Sequence, residues 1–267
     1  MIKSTYAAPI IRNVLKDVYD IRRPDVTGTL KSVFIAETPS GKYVCKFNHP
    51  NLAVKNIEVS KIMLRHGICV PDIKIYNCGI RWLEVYPIIP GKTLYESIGL
   101  GLPEKEIKLV YTDIVDTFAR MDKIDIAELK AKKYRSTHSV AKTNISDTNN
   151  PILATIFSGA VYLANHGANS DIGLYHCGIT TKNTILNADG KFVGLIDLDE
   201  VAISDRSYAF AMMAAKYQQL GYDLTELIDY YEHTTKNKLN HKKIKIIAEL
   251  VNAGKLLLFR DVKRKQK

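Results

Sequence analysis

The first third of the chain alternates strand-like and helix-like segments in an order that few folds accommodate. Two apolar runs at residues 33–38 and 43–47 flank a turn rich in Pro, Ser and Gly at residues 39–42, which predicts a β-hairpin. A single segment with helical spacing then fills residues 51–66. Two more extended runs occupy residues 72–89. We therefore expect several strands with one main helix inserted directly after the hairpin.

Helical spacing dominates the second part of the chain. Apolar positions recur in helical register over residues 103–123, again over residues 152–166, and from residue 208 to the end. The stretch at residues 136–150 is polar and predicts a loop. Two short strand-like runs flank Asp189-Gly190, a dipeptide typical of hairpin turns. One hairpin is therefore expected inside a mostly helical region.

These two patterns together predict an α+β fold with two lobes. The N-terminal lobe would comprise residues 1–90, with a further short helix at residues 10–19. The C-terminal lobe would comprise residues 91–267 and hold the hairpin. A length of 267 residues is enough for two lobes around a sizeable core.

Composition excludes several classes of protein. With 46% hydrophobic and 25% charged residues, the chain is not disordered, collagen-like or a repeat array. The N-terminus lacks the apolar stretch of a signal peptide, and no run of about 18 apolar residues could span a bilayer. The four cysteines form no CxxC pair, so we expect unpaired thiols and a cytoplasmic location.

The net charge of +10 is unevenly distributed along the chain. It divides into +6 for residues 1–90, −5 for residues 91–232 and +9 for residues 233–267. The basic end is either the solvated end of a cationic helix or a surface for an anionic partner such as nucleic acid or a membrane. The acidic middle segment favours a cationic or neutral small-molecule substrate and argues against nucleic acid as substrate.

Polar oxygen ligands flank the predicted hairpin around Asp189-Gly190. Asn183 comes just before its first strand, and Asp197 follows its second strand. The turn would bring the two residues side by side. An amide oxygen next to a carboxylate suits Mg²⁺, which keeps waters and substrate phosphates as its other ligands.

A lysine and a glutamate in the N-terminal lobe supply the complementary feature. Lys46 lies on a predicted strand and Glu58 on the helix that follows. A strand lysine held by a helix glutamate is how protein kinases grip the phosphates of ATP.

On these residues the chain resembles the aminoglycoside phosphotransferase and choline kinase family, small-molecule relatives of protein kinases. The segments that match in order are residues 27–32, residues 43–46, Glu58, residues 67–71, residues 84–94, residues 176–183 and residues 196–208. The resemblance implies a bilobal protein-kinase-like fold, ATP and Mg²⁺ as cofactors, and phosphate transfer to a small-molecule hydroxyl of the amino sugar, amino alcohol or sugar class.

The resemblance also assigns roles to individual residues. The implied cofactor-binding residues are Gly28 and Ser32 in a phosphate-covering loop, the Lys46–Glu58 pair, and Glu84 and Tyr86 at the hinge. His176 would brace the catalytic loop, and Asn183 and Asp197 would be the metal ligands.

The catalytic loop departs from the family pattern at one position. The family has an aspartate two residues after the histidine, where it orients the acceptor hydroxyl, and this chain has Gly178. Asp199, Glu200 and Asp205 are the nearby acids that could substitute for it. General-base catalysis contributes roughly 10²–10⁴-fold, so a weakened kinase is physically possible without it.

Four functions remain open on the sequence alone. The first is a small-molecule phosphotransferase, and the second is a pseudokinase that binds nucleotide without phosphate transfer. A third is a different transfer from a rearranged ATP, such as nucleotidyl transfer. The fourth is binding of nucleic acid or a membrane surface through the basic end.

Overall fold

The computed structural model describes residues 2–24, 32–129 and 172–265, with side chains up to residue 253. Three sequence predictions lie outside the described residues. They are the Gly28 loop, the polar loop at residues 136–150 and the helix at residues 152–166.

A five-stranded antiparallel sheet forms the N-terminal lobe, in the order β1-β2-β3-β5-β4. Its strands are β1 Asp20–Arg22, β2 Val33–Thr38, β3 Gly41–Asn48, β4 Lys74–Cys78 and β5 Arg81–Pro87. The predicted hairpin is confirmed as β2 and β3, joined at Thr38 and Gly41.

Alternation along the strands separates the two faces of this sheet. Phe47 of β3 and Leu83 and Val85 of β5 pack with the first helix, α1 (Ser4–Val14), in one apolar cluster. Because side chains alternate between faces, Lys46 and Glu84 point to the opposite face. The sheet therefore presents an apolar face to α1 and a polar face to the rest of the molecule.

The helix α1 differs from the predicted helix at residues 10–19. It begins six residues earlier, runs through Pro9, and ends at Val14. Ala7 and Ile11, one helical turn apart, are both fully buried against the sheet, and this packing fixes where the helix lies. Asp17, with a φ of 57°, lies in the turn beyond it.

The second helix, α2 (Pro50–Arg65), confirms the helix predicted after the hairpin. Pro50 occupies the first turn, where a missing N–H costs nothing, and the His49 side chain accepts from the Asn51 N–H. Gly67 follows with a φ of 69°, as is common after helix ends. The buried face of α2 includes Lys55 and Asn56, which are unusual residues for a core.

The C-terminal lobe contains the remaining helices and two small sheets. Its helices are α3 Leu94–Gly99, α4 Glu104–Met121, α5 Arg206–Gln219, α6 Leu224–Thr235 and α7 His241–Lys265. Its strands are β6 Lys92–Thr93, β7 Ile172–His176, β8 Thr184–Leu186, β9 Phe192–Leu195 and β10 Val201–Asp205. The predicted helix at residues 103–123 and the hairpin around Asp189-Gly190 are confirmed as α4 and β8–β9. Among the described residues, no helix has the length and apolar character needed to cross a bilayer.

Aromatic side chains fill the core of this lobe. Phe118 of α4 stacks on Tyr175 of β7 with ring centroids 4.7 Å apart, and its edge meets Phe210 and Tyr231. The acid Asp122 beneath them accepts hydrogen bonds from the hydroxyls of Tyr175 and Tyr231. This packing holds β7, and with it the loop that follows β7, against the helices.

The pairing of β7 with β10 was not predicted from the sequence. It sets His176 opposite Val201 and Leu174 opposite Ile203. The residues just before β10 are therefore brought next to the residues just after β7, a placement that matters for the site. The domain boundary at residue 90 stays a prediction.

Gly91 lies in the connector between β5 and β6, where the backbone passes over β8. A Cβ at this position would lie 2.0 Å from the carbonyl oxygen of Leu186, and the residue has a φ of 141°. Only glycine avoids that collision while keeping the left-handed backbone.

We therefore expect Gly91→Ala to destabilise the protein by about 1–3 kcal/mol, because the connector must move off β8. Urea unfolding measures the loss. The matched control is Gly99→Ala at the end of α3, where a Cβ meets no atom within 4 Å. Equal stability of the two variants would contradict the close approach.

Candidate active site

The segment after β7 forms a loop braced by His176. Its Nε2 donates to the carbonyl of Ile196 at 3.0 Å, and its Nδ1 accepts from the Gly178 N–H at 3.2 Å. Burial lowers the pKa of this imidazole, which keeps the ring neutral and suited to one donor and one acceptor. Both nitrogens are used within the loop, so His176 positions the loop and takes no proton from a substrate.

Asn183 lies where this loop returns to the hairpin. Its Nδ2 donates to the Gly178 carbonyl at 2.9 Å, and its own carbonyl accepts from the Ile196 N–H at 2.9 Å. In this orientation the amide nitrogen of Asn183 points into the loop, and Oδ1 points out of it, towards any other partner. The backbone contact also sets Asn183 beside the residue that precedes Asp197.

Asp197 has a left-handed backbone, with φ 65° and ψ 70°. Such a conformation costs a non-glycine residue about 1–3 kcal/mol and persists only where surrounding contacts impose it. Here the contact is an ion pair, because its Oδ1 accepts from the Lys46 ammonium at 2.7 Å. Burial opposes ionisation, but Lys46 outweighs it and holds the pKa of this carboxyl below its usual range.

Lys46 bridges two carboxylates from the other lobe. Its Nζ lies 2.7 Å from Asp197 Oδ1 and 2.7 Å from Asp199 Oδ2, and the residue is only 6% exposed. Burial alone would lower the pKa of the ammonium, but the two aspartates raise it above its ordinary value. The lysine is therefore fully charged and joins the sheet to the segment that contains Asp197 and Asp199.

The predicted pairing of Lys46 with Glu58 is wrong. Glu58 lines a surface groove with Ile57, Lys61 and Arg65, while the buried face of α2 carries Asn56. Two residues along a helix are about 200° apart, so Glu58 points away from the face on which Asn56 lies. The motif spacing alone did not distinguish the two positions.

Asn56 links the two lobes in place of that glutamate. Its Nδ2 donates to Asp199 Oδ1 at 2.7 Å and to Glu84 Oε1 at 3.0 Å. Asn48 of β3 donates to the same Glu84 oxygen at 2.7 Å. The uncharged Asn56 amide thus donates to two acidic side chains, Asp199 and Glu84.

Glu84 does not lie at the hinge, where the family resemblance placed it. It occupies the middle of β5, directly opposite Lys46 of β3, and is 1% exposed. Burial raises the pKa of its carboxyl to about 7, and Lys46 with the two asparagines partly offsets this effect. Glu84 is a buried part of the polar network beneath the cleft.

Two other predicted nucleotide-binding residues, Tyr86 and Ser32, lie among the described residues. Tyr86 lies two residues along β5 on the same face as Glu84, next to Lys46, and burial raises the pKa of its hydroxyl. Ser32 precedes β2, and its carbonyl accepts from the Phe47 N–H at 3.0 Å. Their contacts with nucleotide remain predictions.

Lys55 is a site residue that the sequence analysis missed. It lies on the buried face of α2 at 3% exposure. Its ammonium donates to the carbonyls of Leu198, Asp199 and Val201 at 2.8, 2.8 and 3.1 Å. The lysine therefore fixes the backbone of the 3₁₀ turn Leu198–Glu200 that follows Asp197. No sequence signal separates it from an ordinary surface lysine except its place one residue before Asn56.

These residues bring a buried lysine, two aspartates and an oriented asparagine together where the N-terminal sheet meets the segment after the hairpin β8–β9. The geometry defines a protein-kinase-like class of phosphotransferase. The sequence matches the phosphotransferase enzyme family over residues 22–236, and the chain belongs to that family. No curated protein matches the sequence.

Solved structures of this class share the fold at low sequence identity. The GDP and kanamycin complex of APH(2″)-IIIa has a TM-score of 0.70 at 14% identity, over 98% of this chain and 94% of that one. Choline kinase LicA from Streptococcus pneumoniae has a TM-score of 0.66 at 17% identity, over 97% and 92%. The type VIII aminoglycoside-3′-phosphotransferase has a TM-score of 0.66 at 13% identity, over 91% and 96%.

Replacing Lys55 by methionine should destabilise the protein by about 2–4 kcal/mol, because three carbonyls lose a buried charged donor. Urea unfolding would show this loss. Lys61→Met, at an exposed position of the same helix, serves as the control. A loss no larger than that of the control would contradict the role given to Lys55.

Glu84 should make stability depend on pH. Its pKa is about 7 in the folded chain against an ordinary 4.5, so the unfolded chain releases this proton first as pH rises. Wild type should therefore lose up to about 3 kcal/mol relative to Glu84→Gln between pH 4.5 and 7, and keep that deficit above pH 7. Unfolding free energies measured across this range provide the test, with Glu249→Gln on α7 as control. A difference that does not change with pH would contradict it.

Proposed function

We propose that the protein is an ATP- and Mg²⁺-dependent phosphotransferase that acts on a small-molecule hydroxyl. The observation that carries this proposal is the position of Lys46, 2.7 Å from Asp197 and 2.7 Å from Asp199. A buried strand lysine beside a carboxylate that follows a hairpin is the arrangement that kinases use around the phosphates of ATP. Membership of the phosphotransferase enzyme family supports the reaction class.

The metal site is assigned to Asn183 and Asp197. The donor set fits Mg²⁺, because an amide oxygen directed out of the loop and a carboxylate are both hard oxygen ligands. Among the described residues, no group of three or more His, Cys, Asp and Glu side chains is arranged to hold a metal ion, and a site of this type requires none. Bound there, Mg²⁺ would neutralise charge on the phosphates.

The remaining roles follow from the chain's own residues. Lys46 would bind the phosphate oxygens of ATP, and Asn56 and Lys55 would hold the aspartates in register with it. Tyr86, on the same face of β5, would contact the nucleotide. These roles require ATP in the cleft on the polar side of the five-stranded sheet.

The acceptor is assigned to the amino sugar, amino alcohol or sugar class. The segment at residues 91–232, which would meet the acceptor, has a net charge of −5 and therefore favours a cationic or neutral molecule. Among the neighbouring structures, one holds kanamycin and another is a choline kinase. We place the enzyme in the cytoplasm, where ATP is present and the four unpaired thiols stay reduced.

The test is ATP binding and turnover in wild type and in charge-removing variants. Lys46→Met and Asp197→Asn should each lower ATP turnover at least about 100-fold, because each removes a preorganised charge at the phosphates. Binding of ATP with Mg²⁺ by calorimetry and release of ADP with kanamycin or choline are the measurements.

Matched controls come from exposed positions of the helical lobe. Lys245→Met and Asp229→Asn make the same chemical changes away from the cleft and should retain wild-type turnover. Nucleotide binding without any turnover would indicate a pseudokinase. Absence of nucleotide binding in wild type would overturn the proposal.

A further inference from the structure

The volume beside Gly178 is already filled by a carboxylate. A Cβ built on Gly178 would lie 2.2 Å from Oε2 of Glu200, 2.8 Å from its Cδ and 2.9 Å from its Cβ. No side chain fits at position 178 while Glu200 keeps this position. The carboxylate of Glu200 therefore occupies the space that an aspartate side chain at position 178 would take.

The backbone holds Glu200 at this place. Its carbonyl accepts from the Cys177 N–H at 3.2 Å, and β10 then pairs with β7 from Val201 opposite His176 onward. On both sides of Glu200, the carbonyls of Asp199 and Val201 accept from the Lys55 ammonium. The short distance between Glu200 and Gly178 thus follows from the pairing of β7 with β10 and from the hydrogen bonds of Lys55 to the turn.

The geometry also places Glu200 next to the predicted metal ligands. It is three residues after Asp197 in the same turn. The carbonyl oxygen of Gly178, the residue that Glu200 covers, accepts from Asn183 Nδ2 at 2.9 Å. Glu200 is exposed although Gly178 beneath it is buried, so solvent reaches the Glu200 residue. A carboxylate there can meet an acceptor molecule and pass a proton on to water.

The two other acids considered for this role contact groups other than Gly178. Asp199 accepts from Lys46 on one oxygen and from Asn56 on the other, at 2.7 Å each. Asp205 caps α5 through the Tyr208 N–H at 2.8 Å and pairs with Lys243 at 3.1 Å.

We propose that Glu200 replaces the absent aspartate of the catalytic loop and acts as the carboxylate that orients and deprotonates the acceptor hydroxyl. This inference rests on the proposed function. The acceptor oxygen forms a bond to the γ-phosphorus of ATP, the bond from that phosphorus to the bridging oxygen breaks, ADP leaves, and the hydroxyl proton passes to the Glu200 carboxylate. The glycine at position 178 then leaves the space that the Glu200 side chain fills, and Glu200 supplies the carboxylate that the aspartate would have supplied.

The experiment exchanges the two residues in a four-variant set. Turnover is ADP release from ATP with Mg²⁺, measured with water, with kanamycin and with choline as acceptor. Glu200→Gln keeps the shape of the side chain but removes its basicity, so turnover should fall about 100-fold or more while the Kd of ATP stays within about threefold. Glu200→Ala should behave the same way.

The double variant separates a catalytic role from a structural one. The double variant Gly178→Asp with Glu200→Ala supplies a carboxylate to the same space from position 178. Its turnover should be at least about tenfold higher than that of Glu200→Ala. Gly178→Asp alone places two carboxylates in one volume and should lower the Tm without raising turnover. Glu249→Gln, the same chemical change on α7, should match wild type.

Each outcome decides the inference. Unchanged turnover in Glu200→Gln, or no recovery in the double variant when its ATP binding is intact, overturns it. Wild type that binds ATP without turnover, beside a double variant that turns over, also overturns it and leaves a competent fold without its base. Failure of every variant to bind ATP instead refutes the proposed function on which it depends.

Discussion

The contact between Lys46 and the aspartates Asp197 and Asp199 is the interaction on which the rest of the site depends. It joins a central strand of one lobe to the turn after the hairpin of the other, 151 residues apart in sequence for Asp197. Removing one partner of a buried ion pair typically costs 3–5 kcal/mol, since the other charge is left without compensation. The same contact holds Asp197, with its left-handed backbone, against the sheet.

Around this contact, the interior is polar and nearly every group is paired. Asn48 and Asn56 donate to Glu84, Asn56 also donates to Asp199, and Lys55 saturates three carbonyls of the adjacent turn. Buried polar groups are stable only when such partners are present. The network explains why polar residues occupy the core face of α2. Apolar residues there would remove the Asn56 donor from Glu84 and Asp199 and the Lys55 donor from the three carbonyls.

Much of the fold could be predicted from periodicity. The hairpin β2–β3, the helix α2, the helix α4 and the hairpin β8–β9 each have a local pattern with a clear turn or cap. The β7–β10 pair has no local signal, since its strands are separated by the hairpin and meet only through tertiary packing. The start of α1 was missed because the proline at position 9 indicates a helix start, whereas burial of Ala7 extends the helix through it.

The candidate site was predictable to a similar degree. Lys46, Asn183 and Asp197 were selected because their spacing follows a family motif. The structure brings Lys46 and Asp197 into contact, and the roles of the three residues stay predictions. Glu58 and Glu84 were assigned wrongly, since sequence spacing does not tell which face of a helix or strand a residue occupies. Lys55 and Asn56 gave no signal, because a buried lysine and a surface lysine look alike in sequence. The closeness of Glu200 to Gly178 depends on the β7–β10 pairing and could not be seen without it.

The three hydrogen bonds of Lys55 have a mechanical consequence. They fasten α2 to the backbone that follows Asp197, so a movement of the helix away from the turn would break all three bonds. Protein kinases are switched by displacing the corresponding helix together with its ion pair. Here the same displacement would break the three hydrogen bonds between a buried ammonium and the carbonyls, so we expect α2 to keep its position.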